Sequence, residues 1–293
     1  MNSTEKNTFA VILPLHLLLY CLHSILIMAL TTPLGQNGAL AVSCITLPIV
    51  YLLPSILYCK RKGIAFKNIL WIENGSERTH KPSKTFLLFV FAFAMTALAV
   101  NLIGSLGDLL YFMIGGERAE HPTNSTWYAI TFVRNVLIAP VIEEILFRGV
   151  VLNATDKMKE SSRIFLCGLL FGLGHYSLIP FFYAFAAGII LAYFTLKMRS
   201  VLFGIAVHFA QNLLTFVFSV LVNTLDNVSY IRISYVTLTV LALVSIIGVT
   251  YIALSRKNAK IPIAGEMQEP KTSAWSEIIP YVILAAIMCI VNI

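Results

Sequence analysis

The chain contains nine stretches of mostly apolar residues, each near the length that a transmembrane helix needs. About 20 such residues cross the hydrocarbon core of a bilayer. The composition agrees, because 58% of the 293 residues are hydrophobic and 12% are charged, whereas soluble domains average about 25% charged residues. The sequence therefore predicts an all-α, polytopic transmembrane helical bundle of about eight or nine spans, at residues 8–30, 38–59, 85–114, 127–151, 163–179, 180–196, 201–222, 234–254 and 278–293.

Lysine and arginine residues are distributed unequally between the loops. They follow the second, fourth, sixth and eighth spans, and the intervening loops contain only Arg118 and Arg232. Because short cytoplasmic loops carry the excess of positive charge, the amino terminus is predicted to be cytoplasmic and the carboxyl terminus external. This orientation and anionic lipid explain the net charge of +7, so the bilayer is the expected partner and no nucleic acid is needed.

The fourth span carries three charged side chains within six residues, Glu143, Glu144 and Arg148. Each ionised side chain in the hydrocarbon region costs roughly 2.5–3.5 kcal/mol even on a lenient scale, so we expect a function for them. Glu144 and Arg148 are four residues apart, which places them on one helix face and predicts an ion pair. Glu143 lies about 100° around the helix and is predicted to face the interior of the bundle.

Two further spans carry polar motifs. Phe171 precedes His175 by four residues in the fifth span, and His208 precedes Asn212 by four residues in the seventh, so each pair shares a helix face. The fifth span also contains small residues that would let it approach its neighbours closely, namely Gly168, Gly172 and Gly174.

The polar groups of these three spans can meet in one layer. Counted from the cytoplasmic helix ends at about 1.5 Å per residue, Glu143, His175 and His208 lie at depths of about 12, 18 and 10 Å. A carboxylate, two imidazoles and the Asn212 carboxamide supply a general base, a second proton-transfer group and donors for an oxyanion. These groups are what the attack of water on an amide carbonyl requires.

In this order, Glu143-Glu144-x-x-x-Arg148, Phe171-x-x-x-His175 and His208-x-x-x-Asn212 resemble the motifs of the CAAX-processing and bacteriocin-processing (CPBP, or Abi) family of intramembrane proteases. The resemblance covers about residues 126–222. It implies that Glu143 and His175 activate water and that His208 and Asn212 stabilise the oxyanion. It also implies supporting roles for Glu144, Arg148 and Phe171.

The resemblance suggests three parts of the chain. Residues 1–84 form two spans and a basic cytoplasmic loop, 85–222 form the catalytic helical core, and 223–293 form the last spans. The implied activity is an endopeptidase acting on a membrane-associated peptide or protein. Its substrate would be a prenylated CAAX-type tail, or a bacterial leader, pheromone or bacteriocin peptide. The compact loops favour a bacterial plasma membrane, with the active site open towards the cytoplasmic side.

Metal dependence stays open at this stage, because the family has been described both as metalloproteases and as metal-independent glutamate proteases. Glu143, His175 and His208 would also be a plausible zinc set. The chain has no H-E-x-x-H motif, so metal-free water activation is favoured and no cofactor is expected.

Two other functions also remain. A proton-coupled transporter would place Glu and His residues at mid-membrane, although the sequence has neither repeated halves nor further charged positions along a path. A non-enzymatic membrane scaffold, or an immunity or regulatory protein, would act on a partner through helix contacts.

Structural roles are expected for three other polar residues. His16 and His23 are expected to make interhelical hydrogen bonds, and Arg134 is expected either to pair with Asp108 or to snorkel outward.

Overall fold

A computed structural model of the protein describes residues 9–72, 81–113, 124–258 and 273–291. Within these ranges the chain is helical and forms no β-strand beyond one isolated bridge, between Trp71 and Ser200. The prediction of an all-α membrane protein is therefore confirmed.

Helices follow one another along the described chain at every predicted span. We number them α1 (Phe9–Lys62), α2 (Pro82–Met113), α3 (125–154), α4 (Glu160–Leu173), α5 (Leu178–Met198), α6 (Val201–Thr224), α7 (Asn227–Asn258) and α8 (Ser273–Val291). Of these described helices, α1, α2, α5, α6 and α7 are long and apolar enough to cross a membrane by length and composition.

The first two predicted spans are the two halves of α1, which bends at Gly35. The backbone of Gly35 has φ 68° and ψ 172°, a conformation that glycine adopts without the steric cost that a Cβ would bring. A hydrogen bond from one half to the other accompanies the bend, between His23 Nδ1 and Thr46 Oγ1 at 2.8 Å. Gly35 has a non-helical conformation, so the two halves are separate helices, and His23 makes the interhelical hydrogen bond expected for it.

The helix that carries the glutamates, α3, changes type along its length. Its α-helical segments are Ser125–Thr131, Ala139–Glu144 and Leu152–Ala154, and its π-helical segments are Phe132–Ile138 and Ile145–Val151. Pro140 accounts for the first change, since it has no N–H and cannot continue a regular α-helical ladder. The Ala139 N–H accordingly bonds to the Arg134 carbonyl, five residues back. The two glutamates therefore lie between two π-helical segments, an irregularity that is common at functional sites.

Facing glycines bring α4 and α5 into close contact. A Cβ on Gly188 would lie 2.9 Å from the Gly168 Cα, and a Cβ on Gly172 would lie 3.0 Å from the Phe181 carbonyl oxygen. Gly174, just after α4, faces the Phe147 ring, 2.9 Å from where its Cβ would be. The expectation that small residues permit close approach of this helix is met at all three positions.

The segment between α1 and α2 docks against the end of α3. It contains a short 3-10 helix, Phe66–Leu70, and its residues Ile69 and Ile72 are fully buried. The Ile72 N–H donates to the Arg199 carbonyl at 3.2 Å, and Asn153 Nδ2 donates to the Trp71 carbonyl at 3.3 Å. The sequence assigns residues 60–84 to a polar loop. The first part of this loop instead packs against α3, the helix that carries the first motif.

The glycine contact between α4 and α5 gives a stability prediction. Gly188→Ala places a methyl group 2.9 Å from the Gly168 backbone, which cannot move aside, so we expect a loss of about 1–3 kcal/mol from overpacking. Thermal unfolding in detergent measures this loss. Gly104→Ala is the matched control, because its Cβ would meet only the Tyr183 ring at an ordinary 3.8 Å. Equal melting temperatures of the two variants would contradict the prediction.

Candidate active site

A buried ion pair lies at the centre of the three motifs. Glu144 Oε1 is 2.8 Å from Arg148 Nη1, and neither side chain is exposed. Arg148 Nη2 also donates to the Gly188 carbonyl of α5 at 3.3 Å, and its guanidinium lies 4.2 Å from the centroid of the Phe171 ring of α4. The four-residue spacing predicted this pair, and the structure adds that it joins three helices.

His208 lies between the two glutamates. Its Nδ1 is 2.9 Å from Glu144 Oε1, and its Nε2 is 4.0 Å from Glu143 Oε2. The Glu144 side chain is fully buried, whereas Glu143 is 13% exposed. Glu144 therefore fixes the ring of His208, and the more accessible Glu143 faces its other nitrogen. Sequence reasoning assigned Glu144 to Arg148 alone and missed this second contact.

The second oxygen of Glu144 occupies a space left by a small residue. A Cβ on Gly204 would lie 2.8 Å from Glu144 Oε2 and 2.8 Å from Thr195 Oγ1. Gly204 precedes His208 by four residues and so shares its helix face. Neither Gly204 nor Thr195 was singled out from the sequence, although a glycine one turn before a motif histidine is a signal that could have identified the first.

His175 is held at the end of α4, next to Phe171. Its Nδ1 is 2.9 Å from the Phe171 carbonyl oxygen, so Nδ1–H is the donor and Nε2 remains available. The Phe171 ring packs edge-on against both histidine rings, with centroids 5.1 Å from His175 and 5.7 Å from His208. Phe171 thus contacts both imidazoles, whereas His175 makes no hydrogen bond or ion pair with either glutamate among the described residues.

The residue after His175 anchors the loop in an uncommon backbone conformation. Tyr176 has φ 49° and is buried, and few residues other than glycine adopt this left-handed region. Its hydroxyl lies 3.1 Å from His16 Nδ1 of α1 and 3.2 Å from the Tyr281 hydroxyl of α8. His16 is therefore an interhelical partner, as expected. No local sequence pattern pointed to Tyr176 or Tyr281, because the residues that meet here, His16, Tyr176 and Tyr281, are far apart in the sequence.

Asn212 contacts α3 through its carboxamide. Its Nδ2 donates to the Asn135 carbonyl at 2.7 Å. That carbonyl lacks its helical donors, because the Ala139 N–H bonds to Arg134 and Pro140, five residues on, has no N–H. Asn212 thus satisfies a main-chain acceptor that Pro140 leaves open, and one of its two amide hydrogens is used in doing so.

The residues considered for zinc do not fit a metal site. Among the described residues, no group of three or more His, Cys, Asp or Glu side chains is placed to hold a metal ion. We therefore derive no chemical step through a metal.

Comparison with known proteins identifies this part of the chain. Residues 125–214 match the family model of the type II CAAX prenyl endopeptidase Rce1-like family. The matched range contains all three motifs, so the resemblance to the CPBP, or CAAX, proteases is confirmed for this part of the chain. The apolar helices support an integral membrane protein. No curated protein and no solved structure matches the chain. Helices α1, α2, α7 and α8 lie outside the match.

The ion pair gives a second stability prediction. Glu144→Gln leaves Arg148 buried without a counter-charge, so we expect a loss of about 3–5 kcal/mol. Glu143→Gln is the matched control, because Glu143 is partly exposed and lies outside the ion pair. Thermal unfolding in detergent should separate the two variants clearly. Native-like stability of Glu144→Gln would show that the pair does not support the bundle.

Proposed function

Since residues 125–214 match a CAAX prenyl endopeptidase family, we propose that the protein is an intramembrane endopeptidase that uses glutamate- and histidine-activated water. The observation that carries this proposal is the position of His208, which lies between a buried Glu144 and a more accessible Glu143. A buried, paired carboxylate suits a structural role. A neighbouring carboxylate outside that pair suits a general base.

In the proposed first step, Glu143 accepts a proton from water as the water oxygen attacks the scissile carbonyl carbon. His175 Nε2, left available by the Nδ1 bond to Phe171, assists this proton transfer. The carbonyl oxygen becomes an oxyanion. The proton then passes to the leaving nitrogen as the C–N bond breaks, which restores the Glu143 carboxylate and releases an acid and an amine.

The oxyanion would be stabilised by His208 and Asn212. The contact between Nδ1 of His208 and Glu144 orients the imidazole ring, and Nε2–H is the proposed donor to the developing charge. Asn212 keeps one amide hydrogen free after its bond to the Asn135 carbonyl, and this hydrogen is the second donor. Glu144 and Arg148 are positioning residues in this scheme, because they act through His208.

The proposed substrate is a membrane-associated peptide or protein, either a prenylated CAAX-type tail or a bacterial leader, pheromone or bacteriocin peptide. The family description favours the first class. Entry from the cytoplasmic side and a bacterial plasma membrane complete the proposal. A scaffold or a proton-coupled transporter would need no cleavage, and loss of peptide hydrolysis in a Glu143 variant separates an enzyme from both.

Replacing the proposed base tests the mechanism. Glu143→Gln keeps the size of the side chain and its capacity for hydrogen bonds but removes its basicity, so cleavage should fall about 10²- to 10⁴-fold. Cleavage of a synthetic prenylated CAAX peptide by protein in detergent measures this change. Glu160→Gln, at an exposed position at the start of α4, should retain native activity. Turnover near the native value in Glu143→Gln would remove this residue from the mechanism.

The metal-free mechanism has its own test. We expect the purified protein to contain no stoichiometric zinc and to keep its activity after treatment with a chelator, because a zinc site would need both imidazoles neutral and bound. Metal analysis and cleavage assays before and after chelation provide the measurements. One tightly bound zinc ion per chain, lost together with activity in His208→Ala, would refute metal-free catalysis.

A further inference from the structure

Arg134 lies in the fourth predicted span and has no carboxylate partner among the described residues. Its Nη1 donates to Asn135 Oδ1 at 2.7 Å, so its hydrogen-bond partner is a neutral neighbour and not Asp108, which was one of the two expected alternatives. Its Nε is buried and has no hydrogen-bond partner. Charged groups at membrane depth are costly, and they pair or mark a binding site. This arginine therefore needs an anion that the described chain does not supply.

The position of Arg134 relates it to the candidate active site. Asn135 accepts two hydrogen bonds. Arg134 donates to its side-chain oxygen, and Asn212 donates to its main-chain oxygen. The guanidinium is thus anchored beside the residue proposed as an oxyanion donor. In addition, Tyr20 and Tyr51 of α1 each lie within electrostatic range of both Arg134 and Glu143. The two charges therefore border the same region between α1 and α3.

We propose that Arg134 binds the C-terminal carboxylate of the substrate, an inference that rests on the proposed endopeptidase function. A guanidinium matches a carboxylate with two parallel N–H donors and is the preferred partner for one in a partly desolvated site. The substrate carboxylate would supply the counter-charge that Arg134 lacks and would accept a hydrogen bond from its unsatisfied Nε.

The length of a CAAX tail agrees with this assignment. Three residues follow the prenylated cysteine of such a tail, and an extended tripeptide spans about 10 Å. Arg134 precedes Glu143 by nine residues, which corresponds to at most about 13.5 Å along the helix. One tail is therefore long enough to place its scissile carbonyl beside Glu143 and its C-terminal carboxylate beside Arg134. The site would select substrates cleaved a few residues from their C-terminus.

The test compares two forms of one synthetic prenylated CAAX peptide, the free acid and the C-terminal amide. For the native protein, the amide should show a KM about 10- to 100-fold higher, the range expected for hydrogen bonds to a charged group. Arg134→Gln should raise the KM for the acid to that of the amide and leave the KM for the amide unchanged. Arg134→Lys should restore part of the preference. Arg232→Gln, at an exposed position in α7, is the matched control and should change neither value.

A second measurement does not depend on turnover. Binding of both peptides to the Glu143→Gln variant, with and without Arg134→Gln, should show the same preference for the free acid and the same loss of it. Cleavage with equal affinity for acid and amide in the native protein would overturn the inference and leave the endopeptidase intact. Failure to bind or cleave either form would overturn the proposed function and this inference with it.

Discussion

The ion pair between Glu144 and Arg148 is the interaction on which the arrangement of the site depends. Two charges without solvent contact need neighbours that offset their loss of hydration. Here the neighbours are the Gly188 carbonyl of α5, the Phe171 ring of α4 and Nδ1 of His208 in α6, whereas Glu144 Oε2 and Arg148 Nε have no hydrogen-bond partner among the described residues. One electrostatic requirement thus draws the helices that carry the other two motifs towards the first.

Much of this arrangement was predictable from the sequence. It follows from the periodicity of helices and from the free-energy cost of placing charged groups in the hydrocarbon region. Apolar length gave the positions of the helices, the four-residue spacing gave the Glu144–Arg148 pair, and glycines in the fifth span gave the close contact between α4 and α5. Each of these inferences needs only local geometry and the absence of water. The different burial of the adjacent glutamates agrees with the different roles proposed for them.

The unpredicted features arise from contacts between distant parts of the chain or from a change in helix type. Pro140 signals an interruption, but only the folded bundle shows that Asn212 satisfies the resulting free carbonyl. The docking of Ile69 and Ile72 likewise depends on a surface built by α3 and the junction of α5 and α6. Composition indicates that the 60–84 stretch is polar on average, and it does not show that two of its apolar residues are buried.

The Tyr176 hydroxyl contacts helices from both ends of the chain, and both helices lie outside the range that matches the protease family. If residues 125–214 were grafted into another membrane protein, they would bring the motifs without these partners. The loop after α4 would then have to hold a tyrosine in the left-handed region without the hydroxyl contacts to His16 and Tyr281. Substitutions in the flanking helices can therefore change the support of the loop beside His175 without any substitution within the matched range.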